Sequence, residues 1–97
     1  MPHRGEIWLV GKTRPCLVIT TDIVNERRRT VVVLPLSTSP RPSPPLLIPV
    51  RCAGRPVVAV VDQIRAVAKE RLETQVGVIS PEEMAAVEDG IRQILEL

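Results

Sequence analysis

Ninety-seven residues, 44% hydrophobic and 25% charged, make one ordinary globular domain, and they exclude both a disordered tail protein and a second independent core. No apolar run approaches the roughly 20 residues of a bilayer span, and the opening MPHRGEIW has no apolar signal core, so a cytoplasmic protein without a membrane partner is expected. The net charge of +2 conceals an asymmetry: residues 1–71 carry twelve Lys/Arg against five acids, whereas residues 72–97 carry Arg92 against six acids.

In chain order, Glu6–Val10 is a short apolar run closed by Gly11 and predicts a first strand. Pro15–Thr20 predicts a second, its proline at the strand start, where a missing N–H is tolerated. Asp22–Arg29 is polar and reads as a loop or one helical turn. Thr30–Leu34 is β-branched and continuously apolar, the pattern of a central strand covered on both faces.

Six of the ten prolines lie between Pro35 and Pro49, so this stretch cannot be a helix and is a poor central strand. It reads as a long, stiff connection into an edge strand around Leu46–Val50. A turn at Arg51–Arg55, strands at Pro56–Val61 and Gln63–Val67, a helical turn at Lys69–Leu72 and a strand at Gln75–Ile79 follow. Ser80-Pro81-Glu82-Glu83 is a capping box with proline at the first helical position. Met84, Val87, Ile91, Ile94 and Leu95 then recur at helical spacing, which predicts an amphipathic helix over Pro81–Glu96, with Gly90 inside it at a cost of about 1 kcal/mol relative to alanine. Five to seven short strands and a terminal helix imply a small, twisted, barrel-like sheet with a helix packed on it.

Chemistry-bearing residues are few. Two cysteines, Cys16 and Cys52, and one histidine, His3, have no metal-ligand spacing, so buried reduced thiols and no metal are expected. With no Phe, no Tyr and one Trp, an aromatic platform for stacking bases is disfavoured and the core is aliphatic. There is no Gly-rich phosphate loop and no GxSxG elbow. Two spots stand out: Arg14, immediately before a strand, and Ser37-Thr38-Ser39, where the central strand ends. If the first three strands are neighbours, Arg14 and Ser37 converge at one rim, where an arginine and a hydroxyl bind a phosphodiester. On spacing alone the plain reading outweighs this one: Arg14 as a surface ion-pair residue, and the hydroxyls as a strand cap.

Arg4-Gly5-Glu6-Ile7-Trp8, Arg14–Ile19, Asn25, Val32–Ser37, Asp62-Gln63-Ile64-Arg65, Arg71-Leu72 and Gly77, in that order, resemble the MazF/PemK toxins of bacterial toxin–antitoxin modules. The resemblance runs from Arg4 to Leu97. It implies a mainly β fold with short helices, an SH3-like (CcdB/PemK-like) small β-barrel with a C-terminal amphipathic helix, spanning 1–97 and forming a homodimer. It implies a sequence-specific, metal-independent endoribonuclease without cofactors that cuts single-stranded RNA, leaving 2′,3′-cyclic phosphate and 5′-hydroxyl ends. The implied partner is an acidic antitoxin that blocks the RNA groove and with which the toxin binds DNA.

By the same resemblance Arg14 matches the catalytic arginine, and Ser37 the catalytic hydroxyl, a position usually held by threonine. Gln63, with Thr38 and Arg65, falls among substrate-binding positions. Arginine stays protonated in proteins, so Arg14 is assigned to phosphate charge rather than to proton transfer. Two departures stand out. Only Gly11-Lys12-Thr13 separates Val10 from Arg14, where many members carry a long loop. Ser39–Pro45 is stiff where others are flexible, and reads as a rigid connector rather than a groove wall. Trp8 suits core or dimer packing better than base stacking. The competing functions are a CcdB-like gyrase binder that acts through its C-terminal helix, and a relative that binds RNA or antitoxin without cutting.

Overall fold

A run of valines and leucines without alternation must be covered from both sides, and in the strand Thr30–Ser37, Val31 and Val33 are buried on one face and Leu34 and Leu36 on the other, with Thr30 exposed at its start. The structure, a computed structural model, describes residues 2–97. Its elements are β1 (Glu6–Val10), β2 (Arg14–Val18), α1 (Asp22–Arg27), β3 (Thr30–Ser37), β4 (Leu47–Cys52), β5 (Arg55–Val60), β6 (Arg65–Ala68), β7 (Leu72–Val78) and α2 (Pro81–Leu95). Single 3-10 turns at Val61–Gln63 and Lys69–Arg71 flank β6.

The strands follow the order β4-β5-β3-β2-β1-β7, each pair antiparallel, with β6 added to the free side of β3. β3 serves two neighbours on that side: β6 opposite Thr30–Val33, and β5 opposite Leu36 and Ser37. Pro35 falls at the change of neighbour, where the ladder is interrupted anyway. This corrects the reading of Pro35 as the start of a connection: β3 passes through it to Ser37. The β1–β7 ladder shifts register twice, between Ile7 and Trp8 and between Leu9 and Val10, which increases twist and curls the sheet. Gly77 of β7 completes the curl: a Cβ there would meet the Ala53 nitrogen at 3.4 Å, at the tip of the β4–β5 hairpin. That hairpin turns on Ala53 and Gly54, both at positive φ (52° and 81°), as a two-residue turn matched to strand twist requires.

The curled sheet buries two faces. Ile7, Leu17, Leu34, Leu36, Ile48 and Val50 face α2, which contributes Met84 and Val87. Val10, Cys16, Val18, Val31, Val33 and Val67 fill the other face, with Trp8 and Leu72 packed against them. Trp8 is half-buried there, and its Nε1–H donates to Glu6 Oε1 at 3.0 Å. α2 begins at the capping box expected: Ser80 Oγ accepts from the Glu83 N–H and Glu83 Oε1 from the Ser80 N–H. Leu95, expected on its apolar face, is instead 48% exposed, because the helix ends there and Glu96 turns left-handed. Arg4 pairs with Glu88, so the amino-terminal segment also holds α2.

One buried polar group ties β2, α1 and β3 together. Asn25 is fully buried; its Nδ2–H donates to the Thr20 carbonyl at 2.9 Å, and its Oδ1 accepts from the Thr20 hydroxyl at 2.6 Å. That hydroxyl also accepts from the Val32 N–H at 3.1 Å, so the knot reaches β3. Removing a partner from such a group costs about 1–3 kcal/mol. Asn25→Ala is therefore expected to lower the unfolding free energy by that amount, read as a lower urea midpoint at an unchanged slope; an unchanged midpoint would show the knot to be dispensable.

Candidate functional site

Strand period and register place the site. Cys16 pairs with Pro35, Leu17 with Leu34 and Val18 with Val33. Continued by two residues, that register sets Arg14 against Ser37. Side chains two apart share a face of a strand, so Arg14 and Cys16 on β2 share one with Val33, Pro35 and Ser37 on β3. Arg65 pairs with Val33 and lies on that face too. One face is thus a valine core at one end and a polar rim at the other.

The rim opens into a groove of about 760 Å³. Its lining includes all five residues expected at the site: Arg14, Ser37, Thr38, Gln63 and Arg65. Arg14, Thr38, Gln63 and Arg65 are exposed, and Ser37 is half-buried. Ser37 Oγ accepts from the Ser39 N–H at a long 3.5 Å, which leaves the hydroxyl free to donate. Gln63 sits in the 3-10 turn after β5, not on a strand as its neighbours in sequence implied. No carboxylate or imidazole lines the groove among the described residues, and no groove arginine has an ion-pair partner there. No group of His, Cys, Asp and Glu among those residues is arranged to hold a metal.

Several groove residues escaped the sequence reading, Cys16 and Pro40 among them. Cys16 forms the floor beside Arg14; the signal was its place two residues along the same strand. Pro40 lines the groove, as do the paired residues Leu47 and Val60, so the proline-rich stretch is part of the wall and not only a connector. Nothing local in the sequence marks Pro40, because its place depends on where β3 ends and how β4 returns. Trp8 does not line the groove.

These features belong to a known group. The family model described as PemK-like, MazF-like toxin of type II toxin–antitoxin system matches residues 3–95. The chain belongs to this family. Solved MazF-like structures share its fold. An endoribonuclease from a mycobacterial species matches with a TM-score of 0.88 and 22% identity, over 99% of this chain and 92% of that one. The Mycobacterium tuberculosis toxin MazF-mt6 matches with a TM-score of 0.82 and 24% identity, over 95% and 97%. A MazE–MazF structure from Deinococcus radiodurans matches with a TM-score of 0.86 and 18% identity, over 99% and 96%. The fold of the family, a mainly β half-barrel with a C-terminal helix, is therefore the fold of this chain. Among the described residues, no helix is long and apolar enough to cross a membrane.

The floor has a distinct acid–base character. Cys16 is 1% exposed, and burial pushes its thiol up; the guanidiniums of Arg65, Arg14 and Arg71 offset this only in part. A raised folded value means that, as pH rises, the unfolded chain ionises first. Stability from this group is complete below the ordinary thiol range and is lost as pH climbs through it. Urea melts at about pH 7 and about pH 10 should therefore show a larger alkaline loss in the native protein than in Cys16→Ala. Equal losses would mean that the thiol is not held protonated.

Proposed function

We propose that this chain is a MazF-type toxin that cuts single-stranded RNA at short sequences, without a metal or other cofactor. The observation that carries the reading is the groove itself. It gathers Arg14, Ser37, Thr38, Gln63 and Arg65 on one rim, with two exposed, unneutralised guanidiniums and no carboxylate to repel a phosphate. RNA brings its own nucleophile. The 2′-hydroxyl oxygen attacks the adjacent phosphorus, and the bond to the 5′-oxygen breaks, leaving a 2′,3′-cyclic phosphate and a 5′-hydroxyl. The protein must align the three atoms and stabilise the added negative charge of the phosphorane.

Arg14 grips the non-bridging oxygens with its planar fork. Ser37 donates to one of these oxygens or orients the 2′-hydroxyl. Thr38, Gln63 and Arg65 hold the strand on either side. Arginine remains protonated and Cys16 is buried in its thiol form, so the protons of the two steps pass by way of solvent. The basic body draws in the RNA and, equally, an acidic antitoxin that covers the same groove. The active species is a homodimer, which offsets the modest burial of so short a chain.

A long single-stranded RNA incubated in EDTA, with its 5′ ends mapped, tests this reading. The native protein should give discrete cuts with 5′-hydroxyl ends. Arg14→Ala is expected to lose about 10²–10³-fold in rate, the cost of removing one preorganised charge-stabilising donor. Ser37→Ala should lose strongly, and Ser37→Thr should retain activity. Native-like cutting by Arg14→Ala would refute the assignment of Arg14. No cutting by any form, with toxicity that persists in Arg14→Ala, would favour a gyrase binder. The profile of kcat against pH should also rise through neutrality without the bell shape that a His or carboxylate pair imposes.

A further inference from the structure

Gly90 occupies the interior of α2, where alanine is the better helix former by about 1 kcal/mol. Packing explains the glycine. A Cβ at Gly90 would stand 2.9 Å from the Pro45 carbonyl oxygen and 3.3 Å from both Cγ1 and Cδ1 of Ile48. The helix therefore passes directly against the backbone of the proline-rich segment, and the glycine is buried there.

From Pro45 the contact leads into the groove. The Ser43 N–H donates to the Leu47 carbonyl at 2.9 Å, and the N–H groups of Leu46 and Leu47 donate to the Ser43 carbonyl at 3.1 and 3.0 Å. These bonds make residues 43–47 one closed turn. The Val61 N–H donates to the Leu46 carbonyl at 2.9 Å, which ties this turn to the 3-10 turn bearing Gln63. Pro40 and Leu47, at the two ends of the segment, line the groove. The lining also carries Arg14 and Arg65, on the two strands that flank β3. The groove thus offers guanidiniums suited to phosphate and an apolar Pro40–Leu47 wall suited to a base, and that wall rests on α2.

We propose that Gly90 is a positioning residue of the groove: by admitting the Pro45 carbonyl it sets where the Pro40–Leu47 wall stands, and that wall selects the nucleotide beside the cleaved phosphodiester. The proposal rests on the ribonuclease reading for its consequence in RNA, but not for the mechanical link. With only Gly11-Lys12-Thr13 between β1 and β2, that loop supplies a single lining residue, Thr13, so selection falls to the proline wall.

The test compares the full-length native chain with Gly90→Ala in two ways. Backbone amide spectra are recorded without RNA, and a randomised single-stranded RNA pool is cut in EDTA. Amide shifts should concentrate at Arg41, Ser43, Leu46 and Leu47 and spare Arg14 and Ser37. KM should rise about tenfold and the distribution of cut sites should change, with kcat held within about twofold, since a displaced positioning contact acts on binding geometry. The double variant Gly90→Ala/Ile48→Ala relieves the Ile48 contact but keeps that with Pro45, and should retain the altered KM. Pro45→Gly alters the wall side of the same contact and leaves the sequence of α2 intact; it should raise KM in the same way, and it carries the test if Gly90→Ala does not fold. A Gly90→Ala protein that melts earlier but keeps native KM and cut sites would overturn the proposal, as would Pro45→Gly with native behaviour. If the native protein cuts no RNA, the ribonuclease reading falls and the amide shifts still decide the link: shifts in residues 41–47 uphold it, and shifts confined to α2 and Ile48 overturn it.

Discussion

The fold turns on β3 being longer than any one neighbour can cover. Eight residues carry it from Thr30 to Ser37, and along that length it pairs with β2 on one side and with β6 and then β5 on the other. A single flat sheet would have left its Leu and Val residues exposed on one face. The change of neighbour lets the sheet curl, so that Leu34 and Leu36 meet α2 while Val31 and Val33 meet a second core. The groove is the outer edge of that change. Where β6 has ended and β5 begins, the valine face gives way to Ser37 and Thr38, and Arg14 stands opposite at the start of β2.

Charge follows the same division. Two acids of the basic body are engaged locally. Glu6 accepts from the His3 N–H and from Trp8, and Asp22 accepts from the Arg4 N–H at 2.8 Å and lies against His3. Those bonds hold the Asp22 carboxyl below its ordinary range, the Arg4 backbone N–H contributing most. Four further acids, Glu82, Glu83, Glu88 and Asp89, ride on α2, which supports the groove from behind without lining it. The groove arginines are therefore left unneutralised, the condition for a field that draws in a polyanion. The helix that carries the negative charge is also the one whose glycine admits the apolar wall, so one element serves the electrostatics and the shape of the groove.

How much of this could be read from the chain depends on the range of the interaction involved. The capping box at Ser80–Glu83, the strand Glu6–Val10 and the central strand from Thr30, covered from Val31 on though exposed at Thr30 itself, were legible because neighbours within four residues specify them. Arg14 and Ser37 were visible as candidates, yet spacing alone favoured plain surface roles; family resemblance, not chemistry in the sequence, raised them. Pro35 was misread because proline disfavours a ladder, and only the sheet topology reveals a place where the ladder already breaks. Cys16 was read as a buried thiol, which holds, but its place as groove floor was missed.

The sequence by itself determined the local elements, the aliphatic core, the segregation of charge and, through ordered motif fragments, the family. These rest on periodicity, capping and composition, which act within a few residues or average over many. The tertiary structure decided which rim residues face one another, that Pro40 and Leu47 wall the groove, and why a glycine sits inside α2. Each of these depends on contacts between segments far apart in the chain, and such distances are set by sheet register and packing rather than by any neighbouring residue.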